Sequence, residues 1–564
     1  MKSVRDAPRR KCVFVLLIGL FALSGASGQP VTCSCDYVIN KAGMYRLSAV
    51  QPGQTICVQA GHYEWLRFFD LLGAPGNPIR VINTGGQVTI GGSAYYAGLQ
   101  FFTCRYFVLT GTGDPQYPYG IKLTETGPNA TAVNIGGKSS DCEVTGVEVA
   151  QAGFAGIMVK TDPTCDSSTW RSAFTMTNVA IHHNYIHDVG GEGLYLGSSF
   201  WNGRTITCNG VNRTVYPHPI VGLSVHHNLI ERSGAEGLQY ACAPDAQVHH
   251  NTIRQAGQSP FAAYQNNGIQ IGSGGGGSCY ANTIRQVAGS GLIIIGHLGN
   301  NLIYNNVISD VGENGIFCDD REGSLTNTYT AFVNNTLVRC GHDGIKLYNQ
   351  NNVITVDNNV IVGIGPNRRY VSLGQGAAVT PRTNFTSNDV SQAFFVDPAG
   401  SNFRLSAGSP LIDAGRSVSS WGIDRDAADQ FRPQNGLYDI GAYEFGSANA
   451  AQSTKAATPG TTAFLLKSNT DPIVLKPVSN NELMHREALV IFPSPGTDQV
   501  TLHLSTNESI TMLTVHNARG QRCRVRLSHT SGVNQLDISA LPAGSYVVQL
   551  KAGSNRYTSR FVKQ

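Results

Sequence analysis

Glu192 and Glu236 hold the same place in two copies of one phrase, GGEGLYL and GAEGLQY. If copies of that phrase stack, the two carboxyls become neighbours. Carboxyls that close either split into an acid and a base or bind a cation such as Ca²⁺. The doublets His182–His183, His226–His227 and His249–His250 recur in the same way. Aligned imidazoles make a metal site or a stacked ladder, with one ring of each doublet expected to face out and the other in. A third group joins CDDREG, with Asp319, Asp320 and Arg321, to GHDGIKLY, with His342, Asp343 and Lys346. An Asp pair suits glycoside hydrolysis, whereas Lys with Arg suits proton abstraction beside a uronate carboxylate. Segments 161–174 and 197–219 carry Trp170, Arg171, Trp201, Arg204 and Tyr216, whose rings and guanidinium groups fit sugars that bear acidic groups. Each segment also holds one cysteine, so a Cys165–Cys208 disulfide is expected. Against each set stands a structural alternative: a polar turn, a ring ladder, an ion-paired loop, or aromatics that pack their own loops down.

The elements that position these residues come from a repeat. Seven segments share an apolar strand, an Asn, one residue, Ile or Leu, a short polar stretch, a Gly and a second apolar strand. VAIHHNYIHDVGGEGLYL and LIYNNVISDVGENGIFC are two of them. The Asn positions are Asn184, Asn228, Asn251, Asn282, Asn306, Asn335 and Asn359, and the shortest spacings are 23 and 24 residues. Apolar residues alternate within each unit, as in Leu194 and Leu196, which is strand periodicity. One such unit cannot bury its apolar face; stacked units can, pairing in parallel with right-handed crossovers. The Asn column would satisfy its amides by bonding from copy to copy. The Gly before the second strand (Gly193, Gly237, Gly268, Gly291, Gly315, Gly344) is expected to supply a backbone conformation that other residues avoid. Insertions recur after the second strand, so they share one edge of the stack, and the segments 161–174 and 197–219 should lie side by side.

These repeats resemble the pectin-lyase-like right-handed parallel β-helix family over roughly residues 36–390. The opening PGQTICVQAGHYEW and GAPGNPIRVINTGG looks like that of secreted polysaccharide-lyase-like members. Asp319–Asp320 and Gly341–His342 resemble two segments of polygalacturonase-like enzymes, but the flanking segments of that pattern are missing, so no catalytic residue is carried over. FFVDPAGSNFRLSAGSPLIDAGR and the following GIDRDAADQFRPQNGLYDIGAYEF resemble the tail that closes such proteins and should cap the open end of the coil. Near the C-terminus, FPSPG, LDISALPAGSYVVQL and FVK resemble the type IX secretion sorting domain of Bacteroidetes, with Ser494 where that family usually has Asn. The resemblance implies passage through the type IX secretion machinery to the cell surface or beyond.

Composition agrees with an exported β protein. Gly numbers 64 and only 14% of residues are charged, while a net charge of +4 without a long basic run gives no electrostatic case for nucleic acid. Lys2, Arg5, Arg9, Arg10 and Lys11, the apolar run Val13–Leu23 and Ala26–Ser27–Gly28 read as a signal peptide. In an exported chain the remaining cysteines are expected to pair. The reading is an all-β chain: signal peptide 1–28, right-handed parallel β-helix 29–393, cap 394–446, linker 447–486 and a small β-sandwich 487–564. Its expected function is engagement of polysaccharide, as a lyase or glycosidase or as a non-catalytic adhesin, with Ca²⁺ as the candidate cofactor.

Overall fold

The computed structural model describes residues 34–446 apart from 95, 320–327, 349–352, 380 and 435, then 473–477 and most of 489–563. The signal-peptide expectation, and most of that for the linker, lie outside the described residues. Each coil is three short strands, such as Ile220–His226, Leu229–Glu231 and Leu238–Tyr240. Alternation turns Leu223, Val225, Ile230, Leu238 and Tyr240 into a shared core, where all are fully buried. Successive coils pair in parallel and in register, from Leu194 through Leu238, Ile269, Leu292 and Ile316 to Ile345. First and second strands stack into one 23-stranded sheet bent at a corner, and third strands into a 12-stranded sheet. The body is a parallel β-helix.

The corner is made by two adjacent residues. The residue before each ladder Asn is left-handed, with φ of 54° at His183, 55° at His227 and 53° at His250. That twist turns the Asn inward. Asn251 donates Nδ2 to the Val225 carbonyl (2.9 Å) and to Asn282 Oδ1 (3.0 Å), and its own Oδ1 accepts from Asn228 N (3.1 Å) and Nδ2 (2.9 Å). The ladder runs from Asn184 to Asn384, so amides that would be costly to bury alone satisfy one another.

The recurrent glycines have another cause than the one expected. Gly193, Gly237, Gly268, Gly291, Gly315 and Gly344 are absent from the positive-φ residues. A Cβ on Gly268 would overlap Ile284 Cγ2 and the Gly291 carbonyl, and one on Gly193 would overlap Ile230 Cγ2 and the Gly237 carbonyl. Close approach of neighbouring coils, not a special dihedral, demands Gly there. The cysteines also depart from expectation. Beyond Cys165–Cys208, the described disulfides include Cys35–Cys57. Cys104, Cys142, Cys242, Cys279 and Cys340 are free and buried, acting as small core side chains.

The tail packs along the side of the last coils. Phe395, Phe403, Leu405, Leu411 and Ile440 pack on Val307, Val338, Val360 and Val362, and Val418 and Ile423 on Leu302, Ala331 and Val333. At these coils the corner residue is Asn, and it bonds to the tail. Asn305 donates to the Arg425 carbonyl (2.7 Å), Asn334 to the Asp439 and Gly441 carbonyls (3.0 and 3.1 Å), and Asn358 to the Arg416 carbonyl (2.8 Å). The tail therefore buttresses the side of the last coils, because exposed apolar residues and corner amides lie there. A buried pair, Arg432 with Glu444 at 3.0 Å, ties it together internally. Ile473–Val474 returns to the other end and pairs with Tyr37 and Val38. Two four-stranded antiparallel sheets, 489–537 and 510–563, enclose a separate core around Val515, Leu536, Val548 and Phe561, forming a small β-sandwich.

Candidate functional site

The middle residue of each third strand points away from the core. In consecutive coils these are Met158, Tyr195, Gln239, Gln270, Ile293, Phe317 and Lys346. Gln270 donates to Gln239 Oε1 at 2.7 Å, leaving Gln239 Nε2 buried without an acceptor. Along this column Met158, Tyr195, Phe317 and Lys346 are partly exposed, while Gln239, Gln270 and Ile293 between them are buried.

The segments 161–174 and 197–219 lie together, joined by Cys165–Cys208. Arg171 sits over the Trp201 ring at 3.4 Å and the Tyr216 ring at 5.1 Å, and it donates to the Pro217 carbonyl (3.1 Å) and the Trp201 carbonyl. Trp170 Nε1 donates to the Thr164 carbonyl at 2.7 Å. Arg204 covers Phe200 at 4.4 Å. Trp201 rests on Gly274, where any side chain would collide with its ring, which accounts for part of the GSGGGGS stretch. The five residues are thus brought together, and much of their bonding capacity is spent on each other. Of the rings in these loops Tyr216, 43% exposed, is the most accessible.

Sequence reasoning missed Lys160 and Asp162, which enter the same neighbourhood. Lys160 pairs with Asp162 at 3.2 Å and lies over the Tyr195 ring at 4.5 Å. Burial pulls the ammonium's pKa down, but Asp162 beside it outweighs this and holds it above its ordinary value. The only available signal was a Lys directly after an inward Val159, which alone is unremarkable.

Glu192 and Glu236 sit where the chain bends into the third strands, 2% and 0% exposed. The register places them one coil apart, since Leu194 pairs with Leu238. Burial pushes Glu192 up to about 7. Burial and then the adjacent Glu192 push Glu236 up to about 8. Asn267 donates to Glu236 Oε1 at 3.3 Å, while one oxygen of each carboxyl, Oε2, is buried without a partner. Glu236 therefore favours its protonated form at neutral pH and Glu192 titrates close to it, while Oε2 of each is buried without a hydrogen-bond partner.

The histidines form two stacks, both outside the core. His182, His226 and His249 stack at 4.7 and 4.9 Å, continued by Tyr280 and Tyr304. His183, His227 and His250 stack at 4.9 and 5.1 Å. Neither column turns inward, because the left-handed corner residue breaks the strand alternation and hands the inward place to Asn. Within each doublet the Nδ1 atoms meet, at 2.9 Å for His182–His183. Burial, then the neighbouring rings, pushes His226 down to about 3. The ligand atoms of His182, His183 and His226 lie within 4.8 Å of one another, which a metal could use.

The third group is dispersed or unseen. Lys346 lies on the outward column between the Phe317 and Tyr348 rings, at 5.1 and 4.8 Å. Asp343 Oδ1 accepts from Arg369 N at 2.9 Å, which is the work of a turn cap, and His342 N donates to the Glu313 carbonyl at 2.9 Å. Asp319 N donates to the Ile294 carbonyl at 2.8 Å, one coil from Tyr348. Asp320 and Arg321 lie outside the described residues.

Comparison with known proteins places two regions. Residues 222–390 match the family described as right handed beta helix region, and residues 490–564 match the secretion system C-terminal sorting domain. The body is accordingly a right-handed β-helix, and the sorting domain assigns the chain to the cell surface or the exterior by type IX secretion. No curated protein matches the sequence. Among solved structures, the pectate lyase Pel9A is 14% identical with a TM-score of 0.42, covering 73% of this chain and 97% of its own. A GH136 lacto-N-biosidase from Eubacterium ramulus is 11% identical with a TM-score of 0.35, covering 62% and 67%. A PL6 family polysaccharide lyase from Pseudopedobacter saltans is 12% identical with a TM-score of 0.35, covering 64% and 96%. No residue role is carried over from them.

Proposed function

We propose that this chain engages polysaccharide on the outward column of the third strands, between the Cys165–Cys208 loops and the Glu192–Glu236 bend. The observation that supports the reading is the carboxyl pair set one coil apart by the strand register, buried, with Oε2 of each lacking a hydrogen-bond partner and with pKa values raised to about 7 and about 8. An acid that titrates near neutral pH can donate a proton to a leaving oxygen or take one up, which is what a glycosidase or lyase needs. Lys160, held protonated beside Tyr195, suits a uronate carboxylate. Ca²⁺ is the proposed cofactor: two adjacent carboxylates could supply oxygen ligands once ionised. Lys346, between the Phe317 and Tyr348 rings, is a second contact for the chain of sugars further along the same column; whether Asp319, Asp320, Arg321, His342 and Asp343 join it is tested by alanine variants in the same glycan assay. The source is a Bacteroidetes-type cell, with export begun by a signal peptide and completed by the type IX machinery.

One observation favours a non-catalytic adhesin instead. Arg171, Trp170, Trp201 and Arg204 are largely engaged by their own loops. Incubation of the purified protein with uronate-containing and neutral glycans, with and without Ca²⁺, separates the readings. New ultraviolet absorbance marks lyase action, and new reducing ends alone mark hydrolysis. Tight glycan retention with no product would leave the adhesin. Neither product nor retention with any glycan would overturn both.

A further inference from the structure

A concavity lies between the coil and the tail. Its volume is about 340 Å³, within the usual range for small-ligand sites. One wall is the corner column of His183, His227 and His250 and the outward residues of the second strands; the other is Ser401–Arg404, Ala427–Asp429 and Tyr443 of the tail. The two near-identical phrases NTIRQAG and NTIRQVAG put Arg254 and Arg285 in register one coil apart on the first wall. Arg404 reaches in from the second.

These three guanidinium groups are poorly compensated. Arg254 pairs with Glu231, but that carboxylate also accepts from Tyr185 (2.9 Å) and Arg232 (3.2 Å). Arg285 has no ion pair or side-chain hydrogen bond among the described residues. The nearby Asp310 is held by both Nε and Nη2 of Arg339. Arg404 has no carboxylate partner there either; it touches Asn402 Oδ1 at 3.5 Å and lies over the Tyr443 ring at 4.8 Å. Nε of Arg285 and Nε of Arg404 are both buried without an acceptor. The only carboxylate on the lining, Asp429, is 62% exposed and turned to His250 Nε2 at 3.3 Å. Stacked like charges with buried, unbonded N–H donors are costly unless something accepts from them. Guanidinium forks match planar or tetrahedral oxyanions.

We propose that this cleft is a binding site for a carboxylate or sulfate group, held between Arg254 and Arg285 of the coil and Arg404 of the tail. The proposal is independent of the outward column and of any catalysis there. The ligand is either a free anion or the charged group of a sugar. Because one wall is the tail, occupancy also clamps the tail to the coil.

Titration calorimetry of the full chain with sodium sulfate, sodium glucuronate and glucose tests this. Saturable binding of sulfate or glucuronate with none of glucose is expected, and the tighter of the two identifies a free ion or a sugar-borne group. Arg285→Gln and Arg404→Gln should each weaken it roughly tenfold or more, as loss of a charge-assisted bond does. Arg404→Lys should recover part of the affinity by restoring charge. Thermal melts without ligand report folding of each variant, and Arg404, on the tail surface, tests the site without touching the coil. Absence of heat with both anions would overturn the proposal. So would glucose binding as tightly as glucuronate, or unchanged affinity in Arg285→Gln and Arg404→Gln proteins that melt normally.

Discussion

Single residues here carry opposite pH signatures. Glu192 and Glu236 have folded pKa values above their unfolded ones, so the native state binds more protons than the unfolded chain above about pH 4.5. Their contribution to stability is full below that pH and is lost as pH rises through about 7 to 8. The loss is on the order of 3 kcal/mol for Glu192, from its shift in pKa. His226, His227 and His249 run the other way: their folded values, about 3 and 4, lie below the unfolded one. They destabilise as pH falls from 6.5 toward 4. Melting temperature should therefore peak in mildly acidic to neutral solution. Glu192→Gln and Glu236→Gln should flatten the alkaline limb, and His226→Gln the acidic one. Melts of each variant from pH 4 to 9 check this. A cation on the carboxyl pair would show as a Ca²⁺-dependent rise of the melting temperature at pH 8 that Glu236→Gln abolishes.

At the scale of the coil, position matters more than residue type. Gly268 has an ordinary dihedral, yet Gly268→Ala forces its Cβ against Ile284 and the Gly291 carbonyl. Overpacking of that kind costs about 1–3 kcal/mol. Asn251→Ala removes one rung of the ladder: the Asn228 N–H loses its Oδ1 acceptor, Asn228 Nδ2 keeps only the Ile181 carbonyl, and the Val225 carbonyl and Asn282 Oδ1 each lose a donor. A loss of about 2–5 kcal/mol is expected from those unpaired buried groups. Urea midpoints of the two variants measure both. Asn334→Ala acts on a different element: it removes the coil's donor to the Asp439 and Gly441 carbonyls, the latter keeping only Arg432 within the tail, and should make 395–445 open to limited proteolysis at a protease level that spares the coil.

The molecule as a whole joins three devices: a coil that sets residues in columns, a lateral tail that walls a cleft against it, and a sorting domain with its own core. Removal of residues 490–564 should trap the chain in the periplasm while leaving the coil's melt nearly unchanged, since the sandwich core is separate. Cell fractionation and thermal unfolding of the truncated chain measure the two effects.

The sequence alone determined the coil, its register and the sorting domain, because each is written locally. Alternation at Leu194 and Leu196, the recurrent Asn, and phrases such as LDISALPAGSYVVQL need no distant partner to be read. Register also placed Glu192 beside Glu236 and Lys346 beside Phe317. Only the tertiary structure decided what those neighbours experience. Burial, which sets the carboxyl pKa values, depends on Asn267 and the bend around it. The direction of both His columns depends on a left-handed corner. The need for Gly268 depends on Ile284 in the next coil. The meeting of Arg404 with Arg254 and Arg285 depends on a tail that folds back across more than a hundred residues of chain onto the coil's side. Local pattern fixes which way a strand residue points; what it meets there is a matter of long-range packing.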